Sequence, residues 1–152
     1  MYVLLRSLHR IRREMNLKAG DPRWLAVRHV DAGSCNGCEH ELGTVSNPYH
    51  DLQRHGIDIV ASPRHADILL VTGPVTTRMA GPLQTAYDAM PEPRLVAALG
   101  DCALGCNVLG DHAELAGPLD QLLPVDIRIP GCPPTPHAIA SHILNALKHH
   151  ER

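Results

Sequence analysis

The chain has 152 residues, 44% hydrophobic and 20% charged, enough for one compact domain with a sizeable core but not comfortably two. Formal net charge is −2 with all 11 histidines neutral, and no basic stripe is interleaved with aromatics, so nothing points to a nucleic-acid partner. The longest apolar runs, such as Ile68 to Val71 or Leu95 to Leu99, are far too short to span a bilayer, and Val3-Leu4-Leu5 meets charge too soon for a secretory signal.

Residues 1–23 read as an amphipathic extension. Leu4, Leu5, Leu8, Ile11 and Met15 recur at three- and four-residue steps, while Arg6, Arg10, Arg12 and Arg13 fill the other faces. Such a basic helix suits an anionic membrane surface, a partner subunit or a solvated face of its own domain. Residues 24–152 form the main domain, in which short strands alternate with helices. Trp24 to Val30 predicts a strand closed by Asp31-Ala32-Gly33-Ser34. A helix starts near Glu39, is interrupted by Pro48 and resumes to Arg54. Ile57 to Val60 and Ala66 to Val71 predict two strands too close together for a full helical crossover, so the link is a short excursion or the strand order is unusual. A helix over Thr77 to Met90 follows the Gly73-Pro74 turn, and Leu95 to Leu99 and Val125 to Ile129 are further strands. From Pro136 a last helix places Ile139, Ile143, Leu144 and Leu147 on one face. Strands that are nearly all apolar and alternate with helices argue for a parallel sheet covered on both faces. With one Trp, three Tyr and no Phe, its core must be Leu, Val, Ile and Ala.

Five cysteines fall in three stretches, SCNGCEHE from Ser34, GDCALGCNVLG from Gly100 and PGCPPTP from Pro130, each directly after a predicted strand. Loops beyond the carboxyl ends of parallel strands gather along one edge of the sheet, so these stretches converge in space. In a chain expected in the cytoplasm, clustered cysteines more often mean metal or catalysis than disulfides. Cys35 and Cys38 form a C-x-x-C whose Asn36-Gly37 allows a tight turn, a spacing shared by redox dithiols, zinc sites and clusters. Four thiolates from three loops suit Zn²⁺ or a cubane iron–sulfur cluster. Zinc sites usually present two knuckle-like pairs, whereas Cys102 and Cys132 stand singly on separate loops, which favours the cluster. Pro133-Pro134 would stiffen the last loop and help keep water from the sulfur.

Ser-Cys-Asn-Gly-Cys at 34–38, Gly-Asp-Cys-Ala at 100–103 and Val-Asp-Ile-Arg-Ile-Pro-Gly-Cys-Pro-Pro at 125–134 together resemble the family of complex I 20 kDa subunits and [NiFe]-hydrogenase small subunits, over Asp31 to His149. The resemblance implies a flavodoxin-like three-layer α/β sandwich with a mostly parallel sheet. It implies one [4Fe–4S] cluster on Cys35, Cys38, Cys102 and Cys132, the cluster nearest a partner large subunit. The complex I branch carries an adjacent Cys-Cys pair where this chain has C-x-x-C, and no further cysteine-rich region follows. The pattern is therefore similar to the small subunit of membrane-bound, energy-converting (group 4) [NiFe] hydrogenases, as in formate hydrogenlyase-type or CO-linked complexes. The expectation is a non-catalytic electron-transfer subunit, peripheral on the cytoplasmic side of the cell membrane. It would relay electrons between a [NiFe]-type large subunit and a ferredoxin-like Fe–S subunit, alongside membrane subunits. The rival readings are a complex I-type quinone-reducing subunit on a 49 kDa-like partner, or a nickel-lacking relative, and a zinc-stabilised interaction module.

One departure from the family pattern is Gly105-Cys106-Asn107, where Gly-Gly is usual after the third cysteine. Cys106 is a substitute ligand by position, but the motif favours Cys102 and leaves Cys106 as a small buried thiol. Glu41 lies three residues after Cys38, and the resemblance implies an acid near this point that moves protons at the subunit interface. The plainer reading is an exposed acid favoured by a helix dipole, a role that Glu39 fits better. The histidines are scattered and read as structural or solvated, with His40 set apart by its place between Cys38 and Glu41. Gly73-Pro74 occupies a position that cradles phosphate in flavodoxin-like folds, but without a G-x-G-x-x-G or P-loop no flavin or nucleotide is expected; the resemblance turns this loop toward the large subunit.

Overall fold

The computed structural model describes residues 24–106 and 112–150, with side chains to residue 146. The amphipathic extension at residues 1–23 and the side chain of Leu147 lie outside the described residues. In chain order the strands are β1 (Leu25–Asp31), β2 (Ile57–Ile59), β3 (Ile68–Thr72), β4 (Val75–Thr76), β5 (Leu95–Leu99), β6 (Leu115–Gly117) and β7 (Ile127–Ile129). The helices are α1 (Gly37–Thr44), α2 (Thr77–Asp88), the single turn α3 (Leu119–Leu122) and α4 (Pro136–His150).

Five strands form one parallel sheet in the order β2-β1-β3-β5-β7, and β4 pairs with β6 in a separate antiparallel ribbon. With that ribbon set aside, the order is the flavodoxin-like one, with its switch point between β1 and β3. This resolves the short link between the second and third strands. β2 and β3 are not neighbours but flank β1, joined by a 3₁₀ turn at Pro63–His65. Passing one intervening strand is a sideways step of about 10 Å, which a short connection spans without a helix.

Both faces of the sheet are covered at its centre because the inner strands β3 and β5 have no polar face to offer water. Every residue of β3 is 0% exposed. Ile68 and Leu70 point into a core shared with Leu42 of α1 and Ile139 and Ile143 of α4, while Leu69 and Val71 point to the opposite core with Leu83 of α2. The result is a three-layer α/β sandwich whose largest fully buried side chains are all Ile, Leu or Val, the packing a chain without Phe requires. Where the ladder stops at the amino edge, carboxylates take over as acceptors: Ala26 N–H donates to Asp67 at 3.0 Å and Val96 N–H to Asp126 at 2.8 Å. Trp24, just before β1 at this edge, is 66% exposed.

The predicted helix through Pro48 to Arg54 is two pieces, α1 ending at Thr44 and a 3₁₀ turn at Leu52–His55. The Asn47 side chain accepts the amides of Tyr49 (2.9 Å) and His50 (3.1 Å), and this turn chemistry ends the helical run ahead of the proline. β4 and β6 have no counterpart among the strands predicted from sequence, since two or three residues are too few for a period to register. Among the described residues no helix is long and apolar enough to cross a membrane.

Candidate metal centre

Parallel alignment brings the carboxyl ends of β1, β3, β5 and β7 to one edge, and the loops leaving them line a single cavity of about 170 Å³. Cys35, Cys38, Cys102 and Cys132 all face it, together with Ser34, Gly37, Gly73, Asp101, Gly131 and Pro133. Cys106 does not line it. This thiol is exposed, not buried as the sequence suggested. The buried residue of the Asp101–Gly105 turn is Ala103, and Cys106 closes the turn through its amide to the Asp101 carbonyl (2.9 Å), leaving its side chain outside.

The first loop is shaped by its own polar side chains. One Asp31 oxygen accepts the amides of Gly33 (2.8 Å) and Ser34 (2.7 Å), and Ser34 Oγ accepts the Asn36 amide at 3.1 Å. The left-handed residue of the C-x-x-C turn is Asn36, at φ 68°, rather than Gly37, which already opens α1. Pro133 packs over this turn: a Cβ on Gly37 would sit 3.8 Å from its ring. Two glycines make room that no other residue leaves. Gly73, at φ +78°, passes so close to the first loop that a Cβ would lie 2.5 Å from the Ser34 nitrogen. Gly100, at φ +90°, faces Cys38 so closely that a Cβ would lie 2.6 Å from Sγ.

Electrostatically the cavity resists charge. Burial, then Glu39 and the other three cysteines, push the Cys38 thiol up to about 12. Cys102 is raised as well, by burial first and then by Cys132 and Cys35. These thiols keep their protons until a cationic centre displaces them, so metal binding here releases protons. An all-sulfur donor set selects soft metals and iron–sulfur clusters. Four cysteines around a common cavity match the all-thiolate ligand set of a cubane iron–sulfur cluster.

Behind the cavity lies a polar contact that the sequence patterns did not reveal. The hydroxyl of Thr72, fully buried in β3, donates to Glu39 Oε1 of α1, and the His29 ring of β1 approaches the same hydroxyl oxygen at 2.8 Å. Burial holds His29 below its ordinary value of 6.5, although Glu39 and Asp31 pull the other way. Burial alone would raise Glu39, but hydrogen bonds from Ser34 and Thr72 outweigh it and hold the carboxyl below its usual value. Near neutral pH the group is thus a neutral imidazole donating through Thr72 toward a carboxylate, and it ties α1 to the two strands at the switch point. Glu39 is therefore more than a dipole partner. A threonine on the inward side of an otherwise aliphatic strand was the available signal, since a buried hydroxyl needs a partner. Glu41 is half-buried on α1 and does not line the cavity, and His40 is exposed.

Comparison with known proteins gives a consistent result. The family model described as "NADH ubiquinone oxidoreductase, 20 Kd subunit" matches residues 35–146. A Pyrococcus furiosus protein named "Probable membrane-bound hydrogenase subunit mbhJ" is 45% identical over 122 residues, 80% of this chain and 73% of the relative. Formate hydrogenlyase subunit 7 of Escherichia coli is 46% identical over 112 residues, 74% of this chain but only 44% of that longer protein. Among solved structures, a chain of the membrane-bound sulfane sulfur reductase, an archaeal respiratory membrane complex, superposes with a TM-score of 0.76 at 30% identity, covering 90% of this chain and 75% of its own.

Two outcomes are expected. Gly100→Ala should abolish iron and sulfide retention, measured as bound iron per protein, because its methyl group meets Cys38 Sγ; wild-type retention would contradict the close packing of Gly100 on Cys38. For His29, a folded value below 6.5 means that protonation opposes folding, so its contribution is fully present above pH 6.5 and is lost as pH falls from there toward the folded value. Melting temperatures measured from pH 7.5 to 5 should therefore drop less in His29→Gln than in the wild type, and parallel curves would refute the assignment.

Proposed function

The chain belongs to the family of the NADH ubiquinone oxidoreductase 20 kDa subunit, and from that premise we propose that it is the electron-transfer subunit of a membrane-associated [NiFe] hydrogenase of the energy-converting type. The observation that carries this reading is the convergence of Cys35, Cys38, Cys102 and Cys132 on one cavity at the carboxyl edge of the sheet. When bound there, a [4Fe–4S] cluster supplies a site that accepts and donates one electron at a time. The chain itself performs no bond chemistry in this reading. Its residues would ligate, exclude water and fix position: the four cysteines, as thiolates, would hold iron, Pro133 packs over the first loop, and the Glu39–Thr72–His29 contact steadies the helix that carries Cys38.

The Cys35/Cys38 spacing supports the hydrogenase branch, because complex I-type chains carry an adjacent pair at this place. The partners in this proposal are a [NiFe]-type large subunit at the cavity mouth, a ferredoxin-like Fe–S subunit and the membrane subunits of the complex. The chain would lie peripherally on the cytoplasmic side. Glu41 is the proposed proton-carrying group at the large-subunit face. A second reading is a related complex that reduces quinone or another acceptor on a 49 kDa-like partner; the family description and the likeness to the sulfane sulfur reductase favour it.

Metal analysis of the purified complex separates these readings. Iron and acid-labile sulfide with nickel support the hydrogenase, iron and sulfide without nickel support the second reading, and stoichiometric zinc without sulfide would leave only an interaction module. Serine at Cys35, Cys38, Cys102 or Cys132 should remove this subunit's signal from the low-temperature EPR spectrum of the reduced complex, whereas Cys106→Ser should keep it. Glu41→Gln should leave that signal intact while slowing turnover about tenfold or more; an unchanged rate would remove Glu41 from the proposal.

A further inference from the structure

Cys102 and Cys132 are ligands on loops that leave neighbouring strands, and the residues directly before them, Asp101 and Gly131, are bonded to each other twice. The β5–β7 ladder ends in register at Leu99 opposite Ile129. Gly100 N–H still reaches the Ile129 carbonyl at 2.8 Å, and Asp101 N–H reaches the Gly131 carbonyl at 2.9 Å. Then the geometry changes: Gly131 N–H is met not by a backbone carbonyl but by the Asp101 carboxylate, at 2.7 Å. The donor and acceptor lie 30 residues apart in sequence, and both line the cavity.

We propose that Asp101 is a positioning residue, a carboxylate latch that joins the Cys102 loop to the Cys132 loop and so fixes the separation of the third and fourth cluster ligands. Here a side chain substitutes for the backbone. Beyond the ladder the two chains must diverge to present their cysteines from different sides, and an ordinary β bridge would force them to stay parallel. A side-chain acceptor lets the backbones part while keeping one short bond across the gap. The choice of acid is costly in this place, because the Asp101 charge adds to the forces that raise the Cys102 thiol. A carboxylate is tolerated beside four thiols because its bond to Gly131 holds two of them. Asp31 shapes the first loop in a related way but bonds only within its own loop, so it cannot set a distance between ligands.

This inference rests on the cluster reading under Proposed function, and the experiment tests the two apart. In the purified complex, bound iron, acid-labile sulfide and the EPR g values of the reduced cluster are compared for the wild type, Asp101→Asn, Asp101→Ala and Asp101→Ser. Asparagine keeps an acceptor at the same reach and should retain wild-type iron and g values. Alanine removes the acceptor, and serine leaves a hydroxyl too short to span to Gly131; both should lose at least half of this subunit's EPR signal, with a matching fall in the complex's iron and sulfide, or shift its g values. Should the alanine variant fail to assemble, the asparagine and serine variants still decide the matter. Wild-type iron and g values in the alanine or serine variant would overturn the latch. Equal loss in the asparagine variant would overturn it too, since the bond and not the charge is what it invokes. A wild-type complex in which this chain carries no iron or sulfide would instead overturn the cluster reading itself.

Discussion

Four thiols that share one cavity repel one another as soon as they ionise, and they must ionise to bind metal. The rest of the structure is arranged around that conflict. Left to a flexible chain, Cys35, Cys38, Cys102 and Cys132 would separate. The sheet prevents this by fixing where each loop departs: β3, buried on both sides, holds β1 and β5 in register, and β5 in turn holds β7, all with a common direction. Aliphatic burial on both faces supplies the stability, and the unfavourable crowding is confined to one edge.

The same residue type manages both edges of the sheet. At the amino edge Asp67 and Asp126 accept the amides of Ala26 and Val96, completing a ladder that would otherwise leave donors unpaired. At the carboxyl edge Asp31 and Asp101 also accept amides, but those amides belong to loops that carry cysteines. Short carboxylates suit both tasks because they offer several acceptor positions on a stem too short to be floppy. In the second location Asp101 also places negative charge beside the thiols, which makes the cavity still less hospitable to anions and more so to a cationic metal core.

Much of this was legible in the sequence. Apolar runs of four or five residues marked the strands, and the position of each cysteine stretch after such a run placed the ligands on a common edge. Strand order was not legible in the local pattern. The close spacing of β2 and β3 left a short excursion or an unusual order open, because periodicity describes one strand and says nothing of its neighbours, and only the family resemblance implied the flavodoxin-like arrangement. Contacts between distant residues were hidden for the same reason. Glu39 could be assigned to a helix dipole but not to Thr72, 33 residues away, and Asp101 could be read beside Cys102 but not opposite Gly131. Cys106 was misjudged because its surroundings depend on how the turn from Asp101 to Gly105 winds, and Ala103, not Cys106, takes the buried place in it.

Trp24 is the chain's one tryptophan, and it stands 66% exposed at the amino edge, at the far end of β1 from the cysteines. A strand of seven residues separates the two, roughly 20 Å at the usual rise. The molecule thereby carries a built-in fluorophore on one pole and, with iron bound, a visible chromophore on the other. Emission from Trp24 would register whatever covers the amino edge, through changes in the polarity around the indole. Energy transfer from that indole to the iron–sulfur absorption would register loading of the opposite edge, so both events can be followed in one cuvette without attaching a dye.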